Sequence, residues 1–298
     1  MRPVDIGIVL LVITIWGGNF IAMRIAALEI PPYFLLGLRL TIAALALAWF
    51  AKSPRGMILP LLGISFTMCI LHFGLALVGL KHVEAGTGSL AMQSAVPFAA
   101  LLTWILFGET FGWRRVLGVA LAFAGLAIIS GVPQVGERSD MFLLMVISAL
   151  CFSIATIQIR QLGNTNFMSI NAWVCIFSAP MAFLVSWVFE AGQWKALMEA
   201  KTPTIFGIVY MGLIASVFGQ GLWYRLLPQY QTNQVMPYTL LVPILGILFG
   251  IVFLEETLNW KLVVGGIMTI SGVAVIVLRR SGIVPYEKLL AKQRNDKP

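Results

Sequence analysis

The chain has 298 residues, of which 59% are hydrophobic and only 11% charged, and its mean hydropathy is +0.93. So little charge over so much apolar surface excludes a water-soluble domain of this length and leaves a membrane protein. The net charge of +8 suggests nucleic acid only until its distribution is followed along the chain.

The apolar residues fall in ten blocks of 18 to 23 residues, the length a helix needs to cross the hydrocarbon core. The first runs from Asp5 to Ala27, with Trp16 and Asn19 near its middle, three apart and therefore on one face. Trp16, Asn19 and Arg24 sit poorly in a cleavable leader, so this segment is read as a retained helix. The second block, Tyr33 to Phe50, contains Arg39, and the third, Met57 to Gly79, contains His72. In the fourth, Ala85 to Phe107, Gln93 and Ser94 lie just before Pro97, whose missing N–H frees a backbone carbonyl. The fifth, Trp113 to Ser130, carries a small-residue stripe of Gly118, Ala122 and Gly125.

The sixth block, Asp140 to Arg160, holds Gln158 near its end, and the seventh, Met168 to Phe189, opens with Asn171 and Trp173. Gln220, Trp223 and Tyr224 lie late in the eighth, Thr204 to Leu226. In the ninth, Thr232 to Leu254, Tyr238 precedes Pro243, and Gly246 and Gly250 form a GxxxG face. Trp260 to Leu278 completes the set. No segment alternates at period two over its length, which excludes a transmembrane barrel and predicts an all-α membrane protein of ten transmembrane helices.

With ten spans both termini lie on one side, here side A. That side receives thirteen basic residues and the opposite side, side B, six, with Arg39 inside a span. The excess predicts cytoplasmic termini by the positive-inside rule. Removing residues 281–298, a basic tail read as a solvated anchor or a contact for anionic lipid, together with Arg279 and Arg280, still leaves seven against six. Cys69, Cys151 and Cys175 all lie in spans without CxxC or His-rich neighbours, so they read as packing residues, and neither a metal nor another cofactor is expected.

The segment "FGETFGWRRVLGV" at Phe107 returns as "LEETLNWKLVVGG" at Leu254. Placing Glu109 on Glu256 also superposes Thr110 on Thr257, Trp113 on Trp260, Gly118 on Gly265, Gly125 on Gly272 and Ala127 on Ala274. The chain therefore reads as two homologous five-helix halves, residues 1–135 and 136–280. An odd number of helices in each half makes the second enter from the opposite side, so the repeats are inverted and favour alternating access. The repeated glutamates and tryptophans themselves suit helix mouths and the interfacial belt.

"WGGNF" at Trp16, "PPYFLLGLRL" at Pro31, the two "ET…W…G" endings and "GLWYRLLPQYQTNQVMPYTLLVPILGILFG" at Gly221 resemble the EamA-type branch of the drug/metabolite transporter superfamily over nearly the whole chain. The resemblance implies a ten-helix carrier of the bacterial inner membrane, commonly an exporter of amino acids or related metabolites. The partners it implies are a small-molecule substrate and membrane lipid, with a carrier of other metabolites or drugs of the same superfamily as the alternative. A membrane-embedded enzyme is the weaker reading, because His72 stands alone and the acids are peripheral, and the charge distribution gives no nucleic-acid partner.

All twelve acidic residues fall in loops or at span ends, so no carboxylate is available at the midplane to exchange protons. Substrate contact then falls to neutral polar groups and aromatics: Trp16, Asn19, His72, Gln93, Ser94, Gln220, Trp223 and Tyr238. Each has an alternative as a bond or packing residue between helices. Arg39 reads either as an anchor that snorkels to the headgroups, with Glu29 or Glu84 near it, or as a fixed charge for a substrate carboxylate. Pro97 and Pro243 occupy matching places in the fourth and ninth segments and read as hinges or static bends.

Overall fold

In a computed structural model, residues 1–54, 56–107, 112–132, 138–162, 166–226, 230 and 236–278 are described, apart from the side chains of Phe107, Arg160, Tyr224 and Met236. The basic tail, Glu109 and Thr110 lie outside the described residues. Among the described residues, ten helices are long and apolar enough to span a membrane: α1 Pro3–Glu29, α2 Pro32–Phe50, α3 Ile58–Leu80, α4 Ala85–Leu106, α5 Trp113–Ser130, α6 Ser139–Ile159, α7 Phe167–Phe189, α8 Thr202–Trp223, α9 Pro237–Leu254 and α10 Trp260–Val277. Helices satisfy their backbone polar groups internally, as hydrocarbon requires.

Their starts follow local chemistry. Proline opens α1 and α2, where the missing N–H costs nothing. The Asn166 side chain accepts from Met168 N and Ser169 N at the start of α7, and Asn259 accepts from Lys261 N at the start of α10. The linker before α8 holds a short helix, Gln193–Met198, which the hydropathy pattern does not signal because it is too short to span.

Two of the described spans contain long π-helical segments. Ser65–Phe73 in α3 and Tyr210–Gly219 in α8 are π-helical. These are corresponding helices of the two halves, and in α8 the Ser216 hydroxyl donates five residues back to Met211 O at 2.8 Å, as a widened turn allows. Each π segment lies between the first two helices of the other half: α3 against α6 and α7, α8 against α1 and α2. The other principal neighbours, α5–α10, α2–α7, α4–α9, α1–α9 and α6–α4, also map onto one another when each helix is exchanged with the one five places away.

The α5–α10 crossing is the tightest. A Cβ on Gly125 would lie 2.5 Å from Gly265 O, and one on Gly265 would lie 2.6 Å from Gly125 O. Gly272 stands in the same relation to Gly118 O, at 2.6 Å. Small residues here let two backbones touch. The pairs are reciprocal under the repeat, since Gly118 corresponds to Gly265 and Gly125 to Gly272. Trp113 and Trp260 are both exposed at the ends of this pair, as befits an interfacial belt.

On side B, carboxylates tie one half to the other through helix N-termini, where partial positive charge and free N–H groups favour an anion. Glu190 accepts from Tyr33 N and Phe34 N of α2, and Glu29 from Lys201 N and the Thr204 hydroxyl of α8. Glu256 accepts from Ala85 N at 2.6 Å and Gly86 N at 2.9 Å. The sequence reading set Glu256 at the mouth of α10; it caps α4 instead. Glu255 adopts a left-handed conformation (φ 55°) that ends α9 and precedes this capping glutamate. Gly250 and Gly86 leave room for the carboxylate, while Gly246 meets Ser89, so the GxxxG face of α9 serves the α4 contact.

Candidate functional site

The centre of the bundle is built around the two π segments. On one flank of the α8 segment, Tyr210 donates its hydroxyl to Ile15 O of α1 at 2.8 Å, and a Cβ on Gly219 would touch Ile15 and the indole of Trp16. Trp16 and Trp223 stack in a tilted pair with ring centroids 5.0 Å apart. Tyr238 packs on the same cluster, which includes Val12, Ile13 and Leu226. Three sequence candidates from α1, α8 and α9 thus join one apolar cluster, Trp16 and Trp223 in ring contact. Gln220 is half-buried at the junction where α8 returns to α-geometry.

Around the α3 segment the polar candidates gather. His72 is buried, with Nδ1 2.9 Å from Ser148 Oγ of α6, and Ser148 in turn donates to His72 O at 2.8 Å. The Ser148 hydroxyl also reaches Met92 Sδ at 3.8 Å. The next residue, Gln93, sits where α4 loses α-helical bonding: Gln93 N bonds Leu90 O, and Val96 N bonds Gln93 O. Ser94 donates back to Ala91 O, and Ser153 of α6 donates to Ala95 O. The carbonyl expected to be freed by Pro97 is taken by Val96 N, so the break lies ahead of the proline. In α9 likewise a 3-10 turn, Met236–Leu240, precedes the buried Pro243.

Arg39 is only 4% exposed and does not snorkel. Its Nε donates to Ser216 Oγ of the α8 π segment at 3.1 Å, and its Cζ lies 4.2 Å from the centroid of Phe73 in α3. Neither expected acid reaches it. Glu29 is committed to α8, and Glu84 is half-buried at the start of α4, where burial first and the neighbouring Glu256 second raise its carboxyl pKa while Arg24 opposes them.

Asn19 donates through Nδ2 to Met23 Sδ at 3.2 Å, leaving Oδ1 enclosed without a partner. Gln93 Nε2 and Arg39 Nη1 are likewise enclosed without partners. All three residues stand out in the sequence as polar groups within spans. Sequence reasoning did not find Ser216, Phe73, Tyr210 or Ser148, because a serine or aromatic in an apolar run carries no signal until its neighbour is known. Two surface grooves, of about 300 Å³ beside Leu38, Ile42 and Phe183 and about 460 Å³ beside Phe123, Phe142 and Leu143, are largely apolar. They suit lipid chains better than a polar solute.

The sequence profile of the EamA-like transporter family matches residues 5–131 and again residues 141–278. The chain belongs to the EamA-like transporter family. It is thus a multi-pass membrane transporter with a small-molecule substrate, not an enzyme. Two proteins named probable amino-acid metabolite efflux pumps are similar along nearly their whole length: one from Salmonella typhimurium, 27% identical over 90% of this chain and 93% of its own, and one from Escherichia coli, 26% identical over the same shares. An uncharacterized transporter of Bacillus subtilis is 25% identical over 92% of this chain and 96% of its own. A solved crystal structure of 18% identity aligns with a TM-score of 0.58 over 93% of this chain and 98% of that one, a likeness of fold.

Proposed function

We propose that this EamA-like transporter exports amino acids or similar small zwitterions across a bacterial inner membrane, with both termini cytoplasmic. Residues 1–135 and 136–280 form inverted repeats that rock about the centre, alternately exposing it to either side. The reciprocal Gly118–Gly272 and Gly125–Gly265 contacts of antiparallel helices support that symmetry. The family profile matching twice supports it as well.

The observation that carries the substrate reading is the set of partnerless buried atoms beside the aromatic and π-helical centre: an acceptor on Asn19 and donors on Gln93 and Arg39. Buried polar atoms without partners cost about 1–3 kcal/mol each, so they are retained where a ligand supplies the missing bond. A zwitterion brings both a donor ammonium and an acceptor carboxylate. Trp16, Trp223 and Tyr238 supply a face for its side chain, and Pro97 and Pro243, just beyond the helix breaks, mark where α4 and α9 bend during rocking. The names of the Salmonella and Escherichia relatives support the same class.

The test is uptake of a panel of radiolabelled amino acids into proteoliposomes, with and without a pH gradient. Saturable uptake that ignores the gradient is expected, because the acids of this chain lie in loops or at span ends. No uptake above empty liposomes from folded protein would overturn the amino-acid assignment.

A further inference from the structure

Arg39 is the least compensated charge described in the bundle. Asp5 is paired with Arg2 and Tyr230, Glu29 with Lys201, and Glu256 and Glu190 with helix N-termini. Among the described residues no carboxylate lies within 4.0 Å of Arg39, and its guanidinium meets a neutral hydroxyl and a ring face. Moving a guanidinium out of water costs several kcal/mol, and a serine with one phenyl ring offsets only part of that. A buried cation kept solely for stability would have an acid beside it, or would be replaced by an apolar residue of similar volume.

Its position argues the same way. Ser216 lies on the α8 π segment whose opposite flank carries Trp16, and Phe73 lies on the α3 π segment beside His72, with ring centroids 4.5 Å apart. Arg39 therefore stands between the aromatic group and the His72–Ser148 group, held by the two helix segments with the widest turns. Nε is used to orient the guanidinium, leaving Nη1 as an enclosed charged donor. A guanidinium presented this way suits a planar anion, for which arginine offers paired donors.

We propose that Arg39 recognises the carboxylate of the transported solute, so that the carrier selects molecules bearing that group. The assignment rests on the carrier reading above, yet can be separated from the amino-acid reading by its probes. Leucine carries both charged groups, 4-methylvalerate only the carboxylate and isoamylamine only the amine. In purified protein at fixed ionic strength, leucine and 4-methylvalerate should raise the melting temperature saturably and isoamylamine should not. Arg39→Met should weaken the carboxylate response about ten- to a hundredfold, the worth of one hydrogen bond to a charged group. Its melting temperature without solute should equal or exceed that of the unsubstituted protein, because a costly buried charge is gone. Arg39→Lys should keep part of the response.

A structural anchor gives the opposite pattern: Arg39→Met melts lower or does not fold, and Arg39→Lys restores stability without altering selectivity. That pattern, an undiminished carboxylate response in Arg39→Met, an equal response to isoamylamine, or no response of the unsubstituted protein to either carboxylate would each overturn the proposal. A response to 4-methylvalerate without one to leucine would leave Arg39 in this role and count against amino acids as the solute.

Discussion

The α5–α10 crossing and the centre around α3 and α8 are built on opposite principles. In the crossing each contact is repeated by the partner helix, glycine against backbone, and the sequence shows the repetition directly as Gly118, Gly125, Gly265 and Gly272. In the centre the backbone departure is repeated, as two π segments, but the side chains are not: Arg39, His72 and Trp16 in the first half face Ser216, Ser148 and Trp223 in the second. Symmetric packing supplies a scaffold that looks alike from both sides. Asymmetric polar groups mark the place where, on the proposal above, a solute is told apart.

The sharpest way to break that contrast is to fill the crossing. Gly125→Leu would drive a side chain into Thr269 and the Gly265 carbonyl, backbone that cannot step aside. A loss above about 3 kcal/mol is expected, read as the absence of monodisperse protein after extraction. Recovery of stable protein would mean that the crossing is looser than the glycine contacts require.

Substitutions at the centre should leave the fold and lower transport. Trp16→Ala and Gln93→Ala are each expected to reduce flux about tenfold, equal to ~1.4 kcal/mol, while the melting temperature moves by only a few degrees. Normal flux in both would remove these residues from the solute path and reduce the contrast to one of packing.

The smallest effect is expected at the rim. Burial raises the Glu84 carboxyl pKa, helped by Glu256 and opposed by Arg24, so the folded protein holds this proton to higher pH than the unfolded chain does. Stability linked to Glu84 is therefore fully present below the unfolded pKa and declines as pH rises through the folded value. Glu84→Gln should flatten that part of the melting-temperature profile and raise it modestly at neutral pH. An unchanged profile would show that Arg24 already compensates the charge.

Much of the centre was legible before any contact was known. A polar side chain is costly in hydrocarbon, so Asn19, Gln93, His72 and Arg39 stand out from their composition alone, and three of them hold enclosed atoms without partners. The π segments were not legible, since widening a turn depends on what presses against the helix. Nor was the fate of Arg39: seven residues into α2, it could reach the headgroups as easily as the core, and only Ser216, 177 residues away, and Phe73 show which it does.

The sequence by itself determined ten spans, their order, one repeated segment and the small-residue stripes. Hydrocarbon tests each segment separately for length and apolarity, and a duplicated stretch remains visible wherever it folds. Tertiary structure alone decided the pairings. Glu256 reaches Ala85 and Gly86 across 171 and 170 residues of chain, and Glu190 reaches Tyr33 and Phe34. A buried charge or helix end takes whichever partner the packing brings within about 3 Å, and that distance is a property of the fold.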